Sequence, residues 1–349
     1  MILPLETFRG IFALIIVLHH LKIETFIQKS NLIINGGLVV DFFFVLSGFV
    51  ISLNYLDKIN SKNDLIKFQK KRFLRLYPLH LITLFLFILI EIIKFLVNAY
   101  TDLQSTYMPF SGFNNLYSLA ANFFLIHGWY GWSYNLPSWS ISTEFYTYLI
   151  FAVIVLNFRY RLLFFIILIF LSLLLFYFNN NGVNILNNFI YPIRCIYSFF
   201  LGSLTFLIFK KLNRNFSDLY SYLLIFLSLL IIYISDQLFL NNKYIIASLL
   251  FSFTILFISS LHQGSFLKKI LSNRYTVFLG SISYGIYMIH FGMVWFFRQF
   301  SKYIFNISEN AQNYLVFNYY LGEIFTILFL VFIIFLSYLS LKYFENRFR

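Results

Sequence analysis

Residues 36–56 read GGLVVDFFFVLSGFVISLNYL, an apolar run broken by a single charged side chain, Asp41. Wound as a helix at 1.5 Å per residue, such a run is about 30 Å long, the thickness of a bilayer's hydrocarbon core. Working outward, runs of the same kind are expected as spans at 9–27, 76–98, 138–157, 162–178, 191–209, 219–236, 244–261, 277–298 and 320–341, ten in all with 36–56. Composition agrees. Hydrophobic residues make up 60% of the chain and charged residues 11%, with a mean hydropathy of +0.79. A soluble domain needs about twice that charged fraction to cover its surface. The fold class expected is all-α, a polytopic integral membrane helical bundle of about ten transmembrane helices in one domain over 1–349, with no appended soluble domain.

The net charge of +13 invites a nucleic-acid reading, which the distribution of charge excludes. A nucleic-acid binder gathers its basic residues on one hydrophilic face; here most of them lie in short loops between apolar runs. Those loops include Lys58 to Arg75, Arg159 and Arg161, Lys210 to Arg214, Lys268 to Arg274, and Lys342 to Arg349. Positive-inside sorting then puts both termini in the cytoplasm. Cys195 is the only cysteine, so neither a disulfide framework nor a cysteine metal site is read, and no metal is expected. The first run lacks a small-residue cleavage site and is expected as a retained helix rather than a signal peptide. The short apolar segment 114–128 is expected to be partly embedded at the outer side, where Trp129, Trp132 and Trp139 cluster as an interfacial belt would.

Ionisable residues inside spans are costly and mark function by default. In FRGIFALIIVLHH (8–20), Arg9 and His20 are eleven residues apart, close to three helical turns. They share a face about 16 Å apart along the axis, while His19 is rotated by about 100°. The alternative reading is that a lone histidine in a helix is more often a hydrogen-bonded packing residue. Asp41 can fix helix packing or serve a site, and Gly36, Gly37, Ser47 and Gly48 permit close helix approach. Arg72 and Arg75 in KRFLRLYPLH (71–80) are three apart on one face, either as membrane-edge anchors or as a fork for phosphate. Ser140 and Glu144 share a face in LPSWSISTEFYTYL (136–149), with Trp139 beside them. Ser283, Tyr287 and His290 follow the same spacing in SYGIYMIHF (283–291). In the expected topology His20, Asp41, Glu144 and His290 fall in the outer half of the membrane. Arg9, Arg72 and Arg75 fall at the cytoplasmic edge, roughly 15–20 Å away by helical rise. That arrangement suits an elongated anionic donor with its reactive end pointing outward.

Taken in order with VVDFFFVLSGFVIS (39–52), these strings resemble the acyltransferase-3 family of membrane acyltransferases, which includes bacterial O-antigen and peptidoglycan O-acetylases. The resemblance covers nearly the whole chain. It implies a multi-pass protein of the bacterial inner membrane that moves an acyl group, acetyl by default, from acyl-CoA to a carbohydrate hydroxyl. It matches Arg9 and His20 to the family's Arg and His pair, with His20 catalytic, and Arg72 and Arg75 to its donor-binding Arg-x-x-Arg. Many relatives carry two adjacent acids after the Trp-Ser string; here Phe145 follows Glu144. Some relatives add a periplasmic esterase-like domain, and its absence would call for a partner in any hand-over. The expected partners are acyl-CoA, a carbohydrate acceptor and membrane lipids. In that scheme Asp41 or Glu144 orients the His20 imidazole, and Tyr287, Ser140 and His290 are candidate oxyanion donors. An acyl-histidine intermediate is equally compatible. A non-enzymatic transporter or flippase of lipid-linked sugars is the competing reading, and a glycan polymerase or ligase ranks below it.

Overall fold

The computed structural model describes residues 2–101, 108–131, 133–180, 189–212, 216–238 and 242–348. No strand forms among the described residues; the bridges present, such as Ile23 with Leu315, are isolated. The principal helices are α1 (Leu3–Leu21), α2 (Val39–Tyr55), α3 (Lys62–Tyr100), α4 (Trp139–Asn157), α5 (Arg161–Asn180) and α6 (Ile190–Lys211). They continue with α7 (Asp218–Leu238), α8 (Lys243–Ser259), α9 (Arg274–Ser281), α10 (Ser283–Phe305) and α11 (Tyr319–Tyr343). Among the described residues eight helices are long and apolar enough to cross a membrane, and α9 with α10 makes a ninth as a pair bent by 61°. The tenth expected span is α8, a shorter apolar helix of 17 residues.

Three expected boundaries shift for local reasons. The span expected at 9–27 is displaced: α1 starts at Leu3 with Pro4 in its first turn and stops at Leu21, because Lys22 adopts a left-handed conformation, φ 50°. The basic segment before residue 76 is not a loop. It continues α3 as one helix of 39 residues, capped where Ser61 accepts from the Asp64 amide and returns its hydroxyl to the Asp64 carboxylate. The span expected at 277–298 is broken at Ile282. Ser281 and Ser283 turn their hydroxyls onto the Phe278 and Gly280 carbonyls there, satisfying backbone acceptors where the helix stops.

Two glycine contacts hold the bundle's centre. A Cβ on Gly48 would lie 1.8 Å from the Phe199 carbonyl oxygen, and one on Gly202 would lie 1.9 Å from that of Val45. The backbones of α2 and α6 are therefore in direct contact, the packing that small residues permit in membranes. The α1–α9 crossing repeats the device, with Gly10 against Leu279 and Gly280 against the Glu6 carbonyl. Of the small residues expected at close contacts, Gly48 bears out the reading. A Cβ on Gly36 would lie 3.1 Å from that of His19, also a tight approach, while one on Gly37 would meet only the tip of His19, and Ser47 hydrogen-bonds Tyr148.

The segment expected at 114–128 forms helices Leu116–Phe123 and His127–Tyr130 packed on α3 and α4. Tyr77 donates to the Phe123 carbonyl at 2.9 Å, His80 meets that of Asn122 at 3.0 Å, and Ser142 reaches that of Leu125. The buried Glu91 carboxylate collects the Phe110 amide, Asn114 and Lys94, fastening the start of this segment to α3. Of the expected tryptophan belt, Trp132 lies outside the described residues and Trp129 stands beside Tyr146 and Phe189. Trp139 packs against Phe44 and Tyr191.

Candidate active site

A cavity of about 390 Å³ opens between α1, α2, α3, α4 and α10. Each helix contributes the face that its spacing dictates. α1 supplies Glu6 and Arg9, α3 supplies Arg72 and Arg75, α4 supplies Ser140 and Glu144, and α10 supplies Ser283 and Tyr287. Three guanidiniums thus share the cavity with two carboxylates, leaving it a surplus of positive charge. Arg9 donates to both Glu6 carboxylate oxygens, at 3.0 and 3.1 Å. Arg72 lies over the Tyr55 and Phe68 rings and donates to the Tyr55 hydroxyl at 3.3 Å; its Nε is buried with no partner among the described residues. A buried guanidinium donor left open beside a cavity is suited to an anionic oxygen from a ligand.

Deeper in the cavity, Tyr148 donates to Glu144 at 2.5 Å, which commits its one proton. Ser47, 2.8 Å from the Tyr148 oxygen, must then be the donor to it. Glu144 therefore has a partner four residues on along its own helix. Tyr287 is held by the Pro137 carbonyl and by Ser140, each at 2.7 Å. The Pro137 carbonyl can only accept, so it takes the Tyr287 proton and Ser140 donates to the Tyr287 oxygen, which makes Tyr287 a poor oxyanion donor as it stands.

His20 lies beyond this cavity rather than in its wall. Its Nδ1 faces the Ile16 carbonyl at 3.0 Å and the Nε2 of His290 at 3.2 Å. The Nδ1 of His290 faces the Ile286 carbonyl at 3.1 Å. A carbonyl only accepts, so the network assigns the proton to Nδ1 on both rings. His290 Nε2 is then an acceptor for His20 Nδ1–H, and His20 Nε2 keeps its lone pair, with no hydrogen bond to any described residue. His19 makes a different contact, with the Ile33 carbonyl at 2.9 Å. The two adjacent histidines face different surroundings, as helical spacing requires.

The expected convergence of Asp41 and Glu144 on His20 is not what the chain adopts. Asp41 is fully buried and paired with Arg194 at 2.7 Å, with Ser198 at 3.4 Å. Arg194 in turn lies 3.7 Å from the centre of the Tyr244 ring and 5.3 Å from that of Trp139. The physical reason is that a buried carboxylate needs an opposite charge more than a neutral imidazole does. Trp139, expected in a substrate pocket, stacks on Arg194 and does not line the cavity. The structure brings together Arg9, Arg72, Arg75, Ser140, Glu144 and Tyr287 in one chamber. It sets His20 with His290 just beyond, and Asp41 with Trp139 to one side.

Sequence reasoning missed Arg194, Glu6, Tyr148 and Ser47. Arg194 carried a signal: a lone arginine in an apolar run demands a counter-charge, and Asp41 was the buried carboxylate without one. Glu6 and Tyr148 stand three and four residues from Arg9 and Glu144, the spacing of helical neighbours. His80 and His127 also stack with their rings parallel, 5.2 Å apart, and tie the outer segment to α3.

Fold and site together define a multi-pass helical membrane protein with a cationic chamber and, beyond its wall, a pair of histidines. The chain matches the acyltransferase domain of the acyltransferase-3 family over residues 3–344, and it belongs to that family. It is also similar to the acyltransferase MdmB of Streptomyces mycarofaciens, 33% identical over 123 residues, which are 34% of this chain. The matched stretch spans only 28% of that relative's length. No solved structure matches the chain.

Proposed function

We propose that this chain is an O-acyltransferase of the bacterial inner membrane, moving an acyl group, acetyl in the simplest case, from cytoplasmic acyl-CoA to a hydroxyl of a cell-surface or lipid-linked carbohydrate. The observation that carries this reading is the placement of Arg9, Arg72 and Arg75 in one cavity, with His20 and His290 beyond its far end. The CoA phosphates would take charge-assisted hydrogen bonds from Arg72 and Arg75, the open Nε of Arg72 among them. The pantetheine arm would run along the cavity towards His20, about 16 Å from Arg9 by helical rise.

At His20 the chemistry follows from the tautomer. Nε2 takes the acceptor hydroxyl's proton as the oxygen attacks the thioester carbon, forming a C–O bond and a tetrahedral oxyanion. Collapse breaks the C–S bond, and the imidazolium returns its proton to the departing thiolate. His290 Nε2, accepting from His20 Nδ1–H, would hold the ring and favour its positive charge, the part the third group plays in a catalytic triad. Ser140 is the better placed oxyanion donor, because its hydroxyl can turn from Tyr287 or Pro137.

Transfer of label from radiolabelled acetyl-CoA into the surface glycan of membranes carrying the chain tests this reading. Labelling that depends on His20 supports it. Equal labelling in membranes lacking the protein would restore the transporter alternative, which gives no account of a histidine pair at the end of an arginine-lined chamber.

A further inference from the structure

The cavity does not reach the histidine it is meant to serve. Phe43 and Tyr287 are in its wall, but neither His20 nor His290 is. The Phe43 and Tyr287 ring centres are 6.4 Å apart, and Tyr287 is 6.0 Å from His290, itself 5.2 Å from His20. Tyr287 thus stands between the chamber and His290, with Phe43 beside it in the cavity wall.

The two rings are not held alike. Tyr287 is pinned through its hydroxyl by Pro137 and Ser140. Phe43 has no polar anchor, is half-buried, and packs against both of the large apolar clusters, one centred on α2 and α6 and the other on α1, α10 and α11. Its helix cannot easily give way, because Gly48 and Gly202 press the α2 and α6 backbones into contact. With no hydrogen bond to break, a change of the Phe43 rotamer is the less restrained motion of the two rings.

Resting on the acyl-CoA reading above, we propose that Phe43 gates the passage to His20 and sets the length of acyl chain transferred. A two-carbon acyl group needs the least displacement of the ring. Each added methylene must find room against a side chain with fixed backbone behind it, and one methylene in an apolar pocket changes selectivity by about 10–200-fold. The closed ring also keeps the thioester away from His20 and outer water when no acceptor is bound. Without it, water takes the acceptor's place, giving free carboxylate and CoA.

The test uses the full chain in nanodiscs. Coenzyme A binding is measured by calorimetry, and hydrolysis and glycan transfer are measured with acetyl-, butyryl- and hexanoyl-CoA, for wild type, Phe43→Ala, Phe43→Leu and Phe43→Trp. The expected result is CoA affinity within about two-fold throughout. Phe43→Ala raises the butyryl-to-acetyl ratio at least ten-fold and increases hydrolysis without acceptor. Phe43→Leu falls between it and wild type, and Phe43→Trp lowers turnover at least ten-fold with CoA still bound. Retained CoA binding with an unchanged chain-length profile in Phe43→Ala overturns the gate alone. Failure of wild type to bind CoA overturns the acyl-CoA reading and the gate with it.

Discussion

The Nε2 of His290 lies 3.2 Å from the Nδ1 of His20, across 270 residues of sequence, and no carboxylate occupies the position it holds. A neutral imidazole fixes the tautomer of its partner without adding a second charge to the site. The first consequence concerns His20 itself. His20→Ala should lower acyl transfer by about 10²–10⁴-fold, the range of a lost general base, while His19→Ala leaves it within a few-fold. Label transfer in membranes with matched protein levels checks this; equal loss in both variants would sink the assignment.

His290→Leu removes the acceptor for His20 Nδ1–H but keeps an apolar side chain of similar bulk. It should reduce kcat by about 10²-fold with little change in the donor KM, since the contact orients the base and binds nothing. A rise in KM with kcat preserved would instead make His290 a binding residue.

Arg72 stacks on Tyr55 and Phe68 and holds its guanidinium in the cavity wall. Arg72→Lys retains the charge but loses the fork and the stacking, so the donor KM should rise about ten-fold or more. Steady-state kinetics against acetyl-CoA read this directly. An unchanged KM would place the CoA phosphates elsewhere.

The Asp41–Arg194 pair predicts stability rather than chemistry. Removing one partner, as in Arg194→Met, strands a buried carboxylate and should cost about 3–5 kcal/mol. The double variant Asp41→Leu/Arg194→Met should recover much of that loss. Thermal unfolding in detergent measures both; equal destabilisation in the single and double variants would show that the charges are not coupled.

Gly202→Ala puts a methyl carbon where the Val45 carbonyl oxygen stands, with no flexible side chain to yield. The α2–α6 contact should open, with Tm falling by several degrees or the protein failing to accumulate. The same change at Gly37, where only the His19 ring tip is near, should be tolerated.

Much of this protein is written locally. The spans could be read because a run such as 36–56 is apolar over a bilayer's thickness whatever surrounds it. The shared face of Arg9 and His20, and the separation of His20 from His19, could be read because 3.6-residue periodicity is a property of one helix. Arg9, Arg72 and Arg75 share one cavity, and Glu144, which depth along the helices had grouped with His20, lines that cavity with them.

What the sequence left open was which buried group meets which. Asp41 and Glu144 looked equally able to orient His20. The choice fell to Arg194 and Tyr148, because a buried carboxylate is stabilised most by a buried cation or a committed hydroxyl donor. The partner of His20 came from α10, and the break at Ile282 is a feature that no span-length argument contains. Chain chemistry by itself determined that helices cross a membrane and which faces carry the polar residues. Only the tertiary structure decided the pairs, because pairing energies depend on distances between segments that the sequence keeps far apart.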